Sequence, residues 1–218
     1  MAQIFRRSSN TIARLLVVCG VLGPFGLAWA TYVVYWSPWT TRVGSEISQP
    51  VPFSHKHHVQ DDGIDCRYCH TSVEKSGFAG IPSTEICMTC HSQLWTQAPL
   101  LAPVRDSLAS RRRLRWNRVH DLPDFVFFDH SIHIAKGIGC SSCHGRVDEM
   151  ALTSKQAPLY MKWCLDCHSD PAKFIRPRED IFNMAWQPPS SQSSDGPKLL
   201  SQYHVNPTTL QDCSTCHR

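Results

Sequence analysis

Ten of the eleven cysteines fall into five pairs of identical spacing, each followed directly by a histidine: Cys66–Cys69–His70, Cys87–Cys90–His91, Cys140–Cys143–His144, Cys164–Cys167–His168 and Cys213–Cys216–His217. Repeated C-x-x-C-H is the attachment signature of c-type haem. Residues i, i+3 and i+4 share a face on one helical turn. Two thiols there can bond to the two vinyl groups along one side of a porphyrin, and the histidine then sits under the iron as proximal ligand. The competing chemistries fit the pattern less well. Zinc sites pair two C-x-x-C units or hold their histidines at a distance. A redox dithiol needs one motif on a βαβ scaffold, and a disulfide framework imposes no local repetition. The pattern therefore predicts five covalently bound haem c groups.

Ten axial positions need filling, and the motifs provide five. Of the remaining seven histidines, His55, His58, His130 and His133 lie in two F-x-H-x-x-H units, Phe53–His58 and Phe128–His133. Histidines at i and i+3 share a helical face but stand a turn apart, so they suit different haems. These four are expected as distal ligands. His57 points elsewhere on such a turn and reads as exposed. His120, ten residues before His130, is a further candidate ligand, against a surface or hydrogen-bonding role; His204 is a weaker one. Methionine is the other common distal ligand. Met150 and Met161 are candidates, Met184 less so, and packing competes in each case because methionine fills irregular gaps. Met1 is terminal, and Met88 faces its own thiols. Every iron can thus be six-coordinate, which favours electron transfer over catalysis; no catalytic residue is expected.

Several elements must position these groups. Leu15 to Trp36 is 22 residues without a charge, about 33 Å as a helix and enough to cross a bilayer. Arg6, Arg7 and Arg14 precede it, which keeps the N-terminus cytoplasmic. Ala28-Trp29-Ala30 resembles a signal-peptide cleavage site, but the apolar run continues to Trp36, so residues 1–36 read as an uncleaved signal anchor in the cytoplasmic membrane. Tyr32, Tyr35, Trp36 and Trp39 suit its outer interface. Cys19 reads as a small buried membrane residue rather than a lipidation site. Residues 37–52 read as a linker, and residues 53–218 as a pentahaem domain on the periplasmic face. With about 33 residues per haem, much of that domain's interior must be porphyrin. Pro82-Ser83-Thr84-Glu85 is a helix start before Cys87, and residues 187–197 read as a surface loop. The expected fold class is mostly α and irregular, with few strands.

The chain repeats itself. His55 to His130 and His58 to His133 are shifts of 75 residues, Cys66 to Cys140 is 74, and Cys87 to Cys164 is 77. Val73-Glu74-Lys75 matches Val147-Asp148-Glu149. This gives two duplicated dihaem modules, about 53–92 and 128–169, and a fifth haem within 204–218. The formal charge is +4, with a basic run at Arg111, Arg112, Arg113, Arg115 and Arg118. Roughly ten propionates and five ferric charges bring a haem-loaded chain near neutrality. The arginines read as propionate partners, a docking face or a solvated segment, and nucleic acid is not an expected partner.

The anchor, FSHKHH before CRYCH, then CMTCH, VHDLPDFVFFDHSIH before CSSCHG, MKWCLDCH and a terminal DCSTCHR together resemble the pentahaem cytochrome subunit of bacterial alternative complex III, over nearly the whole chain. The tandem F-x-H-x-x-H…C-x-x-C-H units alone are shared with small multihaem cytochromes of the c7 and c3 type. The resemblance implies that His55 pairs with His70 and His130 with His144, that His58 and His133 serve other haems, and that one haem is His/Met. It also implies a quinol:electron-acceptor oxidoreductase in which this subunit relays electrons. The implied partners are an iron–sulfur subunit, quinol-binding membrane subunits, a monohaem cytochrome subunit, and a periplasmic cytochrome or copper protein as acceptor. Two alternatives remain: a self-contained anchored multihaem quinol dehydrogenase feeding a periplasmic reductase, and a haem-based sensor.

Overall fold

The computed structural model describes residues 4–6 and 8–217; Met1, Arg7 and Arg218 lie outside the described residues. The chain divides into two units, Met1–Val43 and Gly44–Arg218. In the first, α1 runs over Ser9–Trp36, starting six residues before the uncharged run, so that Arg14 lies within it. It is long and apolar enough to cross a membrane. Its end is set locally. Ser37 precedes Pro38, and the proline ring drives the preceding residue out of the helical region; Ser37 is extended, with ψ of 155°. Val34 O is then capped by the Ser37 N–H (3.2 Å), Ser37 Oγ (2.6 Å) and Thr40 Oγ1 (2.8 Å). The aromatic residues cluster at this end, with Tyr35 edge-on to Trp36 at 5.3 Å. A one-turn helix, α2 (Pro38–Thr41), follows, within the stretch expected as linker.

In the second unit, residues 44–51 are pinned down rather than free. Gly44 N–H donates to Lys155 O (2.8 Å), Glu46 bridges Ser154, and the Gln49 side chain exchanges two hydrogen bonds with the Asn117 backbone. The unit is mostly short helices and irregular chain. Among the described residues there is no strand, only the isolated bridges Glu46–Ser154 and Ile138–Ile175. The first F-x-H-x-x-H unit runs into a π-helix, Lys56–Asp61, with His55 at its N-cap. It is followed by α3 (Cys66–Cys69), α4 (Thr84–His91) and α5 (Ala102–Ser110). α4 starts where the Pro-Ser-Thr-Glu signal places it. The second half carries α6 (His130–Ala135), α7 (Ser141–His144) and α8 (Met161–Ser169). The chain closes with α9 (Gln192–Gln202) and α10 (Cys213–Cys216).

α9 overturns one expectation, since residues 192–197 belong to a helix and not to a loop. Local sequence opposes this, because Pro197 removes a helical donor. Tertiary contacts outweigh it. Gln192 Nε2 donates to Ala172 O (2.6 Å) and Ile175 O (2.8 Å). Gly196 lies so close to the Ala172 carbonyl that a Cβ would not fit.

Conventional core is scarce. Nine apolar side chains are buried among the described residues, most of them in two groups. Val51, Leu101 and Val104 pack with Cys87, Met88 and Trp116; Ile175, Ile181, Met184 and Tyr203 lie in the C-terminal part of the chain.

Candidate haem-attachment and ligand sites

Each C-x-x-C-H unit folds as one helical turn, as its spacing requires. The amide of the motif histidine donates back to the carbonyl of the first cysteine in His70 to Cys66 (2.9 Å), His144 to Cys140 (3.0 Å) and His217 to Cys213 (2.9 Å). Asp65 caps α3 by accepting from Arg67 N–H. After His144, Gly145 takes φ of +65°, a conformation glycine alone adopts freely, and the chain turns away at once.

All ten motif thiols are free. Burial raises the pKa of Cys140 to about 11, of Cys143 to about 12 and of Cys167 to about 11. A reactive redox thiol is instead held low by neighbouring positive charge. Thiols of different motifs add to the rise: Cys87 and Cys90 act on Cys69, Cys66 on Cys140, Cys167 and Cys164 on Cys143, and Cys216 on Cys164. Successive sites therefore lie within electrostatic reach of each other in the order Cys87/Cys90, Cys66/Cys69, Cys140/Cys143, Cys164/Cys167, Cys213/Cys216. Hydrogen bonds follow the same order at both ends. Tyr68 OH and Thr89 Oγ1, each between the cysteines of its own motif, are 2.8 Å apart, and His168 is tied to Leu210 before the last motif.

The imidazoles share one arrangement. Nδ1 faces a backbone carbonyl oxygen in His58 (Ser54, 2.9 Å), His70 (Gly80, 2.6 Å), His91 (Leu94, 3.3 Å), His130 (Gly77, 2.9 Å), His133 (Asp129, 2.7 Å), His168 (Leu210, 2.9 Å) and His217 (Phe125, 3.1 Å). A carbonyl only accepts, so Nδ1 carries the proton and Nε2 keeps its lone pair. Ligating histidines are oriented in this way. His55 Nδ1 is held by the Thr153 hydroxyl at 2.9 Å.

Three pairs of these rings stand at one spacing. His58 and His91 have ring centres 6.1 Å apart, His130 and His144 6.4 Å, and His133 and His168 6.2 Å. Two metal–imidazole bonds of about 2.0 Å, with about 1 Å more from each nitrogen to its ring centre, give about 6 Å. The residues present thus fit an iron held between paired rings. Burial, with the neighbouring charges of His70 and His58, lowers His55 to about 4. Burial lowers His144 further, to about 3, and it has His120, His130, His70 and His55 around it.

Each F-x-H-x-x-H phenylalanine braces its two histidines. Phe53 stacks on His58 (4.4 Å, 25°) and meets His55 edge-on (4.9 Å, 87°); Phe128 stacks on His133 (4.4 Å, 25°) and meets His130 edge-on (4.8 Å, 88°). The two segments also clasp each other reciprocally. Lys56 N–H donates to Met150 O while Ser131 N–H donates to Ser76 O. His55 reaches Thr153 while His130 reaches Gly77.

The remaining candidates fall elsewhere. His57 is half-exposed, stacks on Trp95 at 5.5 Å and lies 3.5 Å from Asp62. His120 packs edge-on against His144 at 4.3 Å, too close for an iron between those two rings, and its buried Nε2 has no hydrogen-bond partner. Met150 sulfur accepts from Ser154 Oγ at 3.9 Å, Met161 is 65% exposed at the start of α8, and Met184 is buried. His204 is exposed, with φ of +52°. Sequence reasoning missed Thr153 and the carbonyls behind the rings; a backbone acceptor leaves no trace in residue type. The bracing role of the phenylalanines was signalled, since both stand two residues before the first histidine of their unit.

The family described as cytochrome c7 and related cytochrome c matches residues 51–100 and 126–218. Over 128 residues the chain is 37% identical to the menaquinone reductase multiheme cytochrome c subunit of Nitratidesulfovibrio vulgaris (Hildenborough strain). That stretch covers 58% of this chain and 60% of the relative.

Proposed function

The chain belongs to the family of cytochrome c7 and related cytochrome c, a multihaem cytochrome c with covalently bound haem, and from that premise we propose that it is the membrane-anchored electron relay of a quinol-linked oxidoreductase. The observation that carries this reading is the set of paired imidazoles, each with Nδ1 engaged or buried and its ring set opposite a second ring.

Five haems c would be joined at Cys66/Cys69, Cys87/Cys90, Cys140/Cys143, Cys164/Cys167 and Cys213/Cys216, with His70, His91, His144, His168 and His217 as the motif residues that would hold iron. His55 would serve the first site from the other side, His58 the second, His130 the third and His133 the fourth. His120, Met150 and Met161 remain as candidates for the last position, opposite His217; His120 packs on His144 and Met150 O accepts from Lys56 N–H, which leaves Met161 at the start of α8 as the candidate favoured there. The reciprocal clasp and the matched phenylalanine geometry support two duplicated modules, at 53–92 and 128–169. When bound, haem supplies one-electron exchange between ferric and ferrous iron.

The protein's part is to hold each Nε2 lone pair toward the metal, to set ring orientation through the Nδ1–H bonds, and to line the attachment sites up. The outer two sites, Cys87/Cys90 and Cys213/Cys216, are then the ends at which electrons enter and leave. α1 anchors the domain in the cytoplasmic membrane, with the haems on the periplasmic side. The partners are those of an alternative complex III-like assembly: an iron–sulfur subunit, quinol-binding membrane subunits and a monohaem cytochrome, with a periplasmic cytochrome or copper protein as acceptor. The relative is named as a subunit of a menaquinone reductase, and this favours a second reading in which the same relay delivers electrons to menaquinone.

The test is purification from native membranes. Intact mass and haemochrome absorbance are expected to give five haems per chain, and the accompanying subunits are identified by mass spectrometry. Quinol is expected to reduce the haems in the complex. Reduction of the separated subunit by quinol would overturn the relay in favour of a self-contained dehydrogenase.

A further inference from the structure

One buried charge forms no ion pair among the described residues, the carboxylate of Asp180 acting on it only from beyond ion-pair range. Arg176 is 2% exposed, and no carboxylate there forms an ion pair with it. Its guanidinium is held by neutral acceptors instead. Nη1 donates to Ser141 Oγ (3.3 Å), Asp180 O (3.4 Å) and Asn183 O (3.3 Å); Nη2 donates to Ser142 Oγ (2.9 Å) and Ser141 Oγ (3.3 Å). Nε is buried without a partner, and the group lies 4.2 Å from the centre of the Trp186 ring. The nearby Asp180 offers its backbone carbonyl, while its carboxylate accepts from Asn183 Nδ2 (3.1 Å).

A guanidinium is not deprotonated in proteins, and an unpaired buried charge is costly. Its location suggests what it is retained for. Ser141 and Ser142 are the two residues between Cys140 and Cys143. Gly139 leaves room for the guanidinium, since a Cβ there would overlap Cζ and Nη1. The charge is therefore built into one attachment loop. The pairs between the cysteines of the other four are Arg67-Tyr68, Met88-Thr89, Leu165-Asp166 and Ser214-Thr215, and the one arginine among them is neutralised by Asp65 at 2.8 Å.

We propose that Arg176 is a positioning residue whose buried charge, held without an ion pair, raises the reduction potential of the haem joined at Cys140 and Cys143, an inference that rests on the attachment reading above. Ferric haem carries one more positive charge than ferrous haem. A fixed cation beside it, in a medium where charges are weakly screened, favours the reduced state. The third site is the middle one of the five, so the effect is to make the centre of the relay the favoured resting place for an electron.

The test is a spectroelectrochemical titration of the purified full-length cytochrome. Arg176→Gln is expected to move one of five components to lower potential and leave four in place, while Arg176→Lys keeps that component close to its original value. Ser141→Ala and Ser142→Ala retain the cation and are expected to leave the midpoint unchanged or higher. If the serine variants lower it, or if the Lys and Gln variants shift it equally, the polar tie and not the charge sets the potential, and the proposal is overturned. Should Arg176→Gln fail to mature, Asp180→Asn, which removes a negative charge acting on the guanidinium, is expected to raise the same midpoint, and a fall or no change would overturn the proposal. Four haems per chain by haemochrome in the unmutated protein would be a failure of the attachment reading, distinguishable from failure of this one.

Discussion

The most discriminating perturbation is removal of the distal rings that stand three residues apart. His58 lies 6.1 Å from His91, in the motif after the nearest one, whereas His55 neighbours His70. His58→Ala should therefore open the iron at Cys87/Cys90, and His55→Ala the iron at Cys66/Cys69. Each single variant is expected to turn one haem in five high-spin and to raise carbon monoxide binding from none to one per chain. Loss of the Phe53 contact and one hydrogen bond costs about 1–3 kcal/mol, small beside covalent attachment, so the fold should survive. Pairwise combination gives the count that matters. His55→Ala with His58→Ala should bind two carbon monoxide molecules. His58→Ala with His91→Ala should show one altered haem, because both rings serve the same iron, and His55→Ala with His91→Ala should show two. Carbon monoxide titration and the high-spin electron paramagnetic resonance signal read this directly. If His58 and His91 behave as independent sites, or His55 and His58 as one, the pairing of these rings across the irons is wrong.

Other outcomes follow from single contacts. Asp129 accepts from the N–H groups of Ser131 (2.8 Å) and Ile132 (3.3 Å) at the start of α6; Asp129→Ala should cost about 1–2 kcal/mol in urea denaturation. Gly196→Ala places a methyl against the Ala172 carbonyl and should cost about 1–3 kcal/mol, read as a lower Tm. The mature N-terminus, by intact mass, should precede α1; a chain beginning near Thr31 would show signal cleavage instead of an anchor.

Much of this arrangement was legible because haem attachment fixes residue types at rigid spacings. The five helical turns, the α4 start and the short-helix character could all be read from the cysteines, histidines and Ser83. The tertiary contacts could not. α9 forms over Gly196 and Pro197 because Gln192 and a bare glycine dock against residues 172–175, and neither docking partner lies in the local sequence. The order of the attachment sites departs from chain order, since Cys69 feels the charge of Cys87 while Cys140 feels that of Cys66, and spacing says nothing of that. Arg176 was unread because an isolated arginine has no pattern; only its burial and its contact with Ser141 and Ser142 mark it.

The reciprocal clasp between the two F-x-H-x-x-H segments has the form of a symmetric homodimer contact written within one polypeptide. In an isologous interface, residue i of one copy meets j of the other and j meets i. In this chain Lys56 meets Met150 while Ser131 meets Ser76, and His55 meets Thr153 while His130 meets Gly77. His55 and His130 are thus each oriented by the opposite half. Neither half carries a self-sufficient copy, and the internal partner occupies the surface a second identical chain would need.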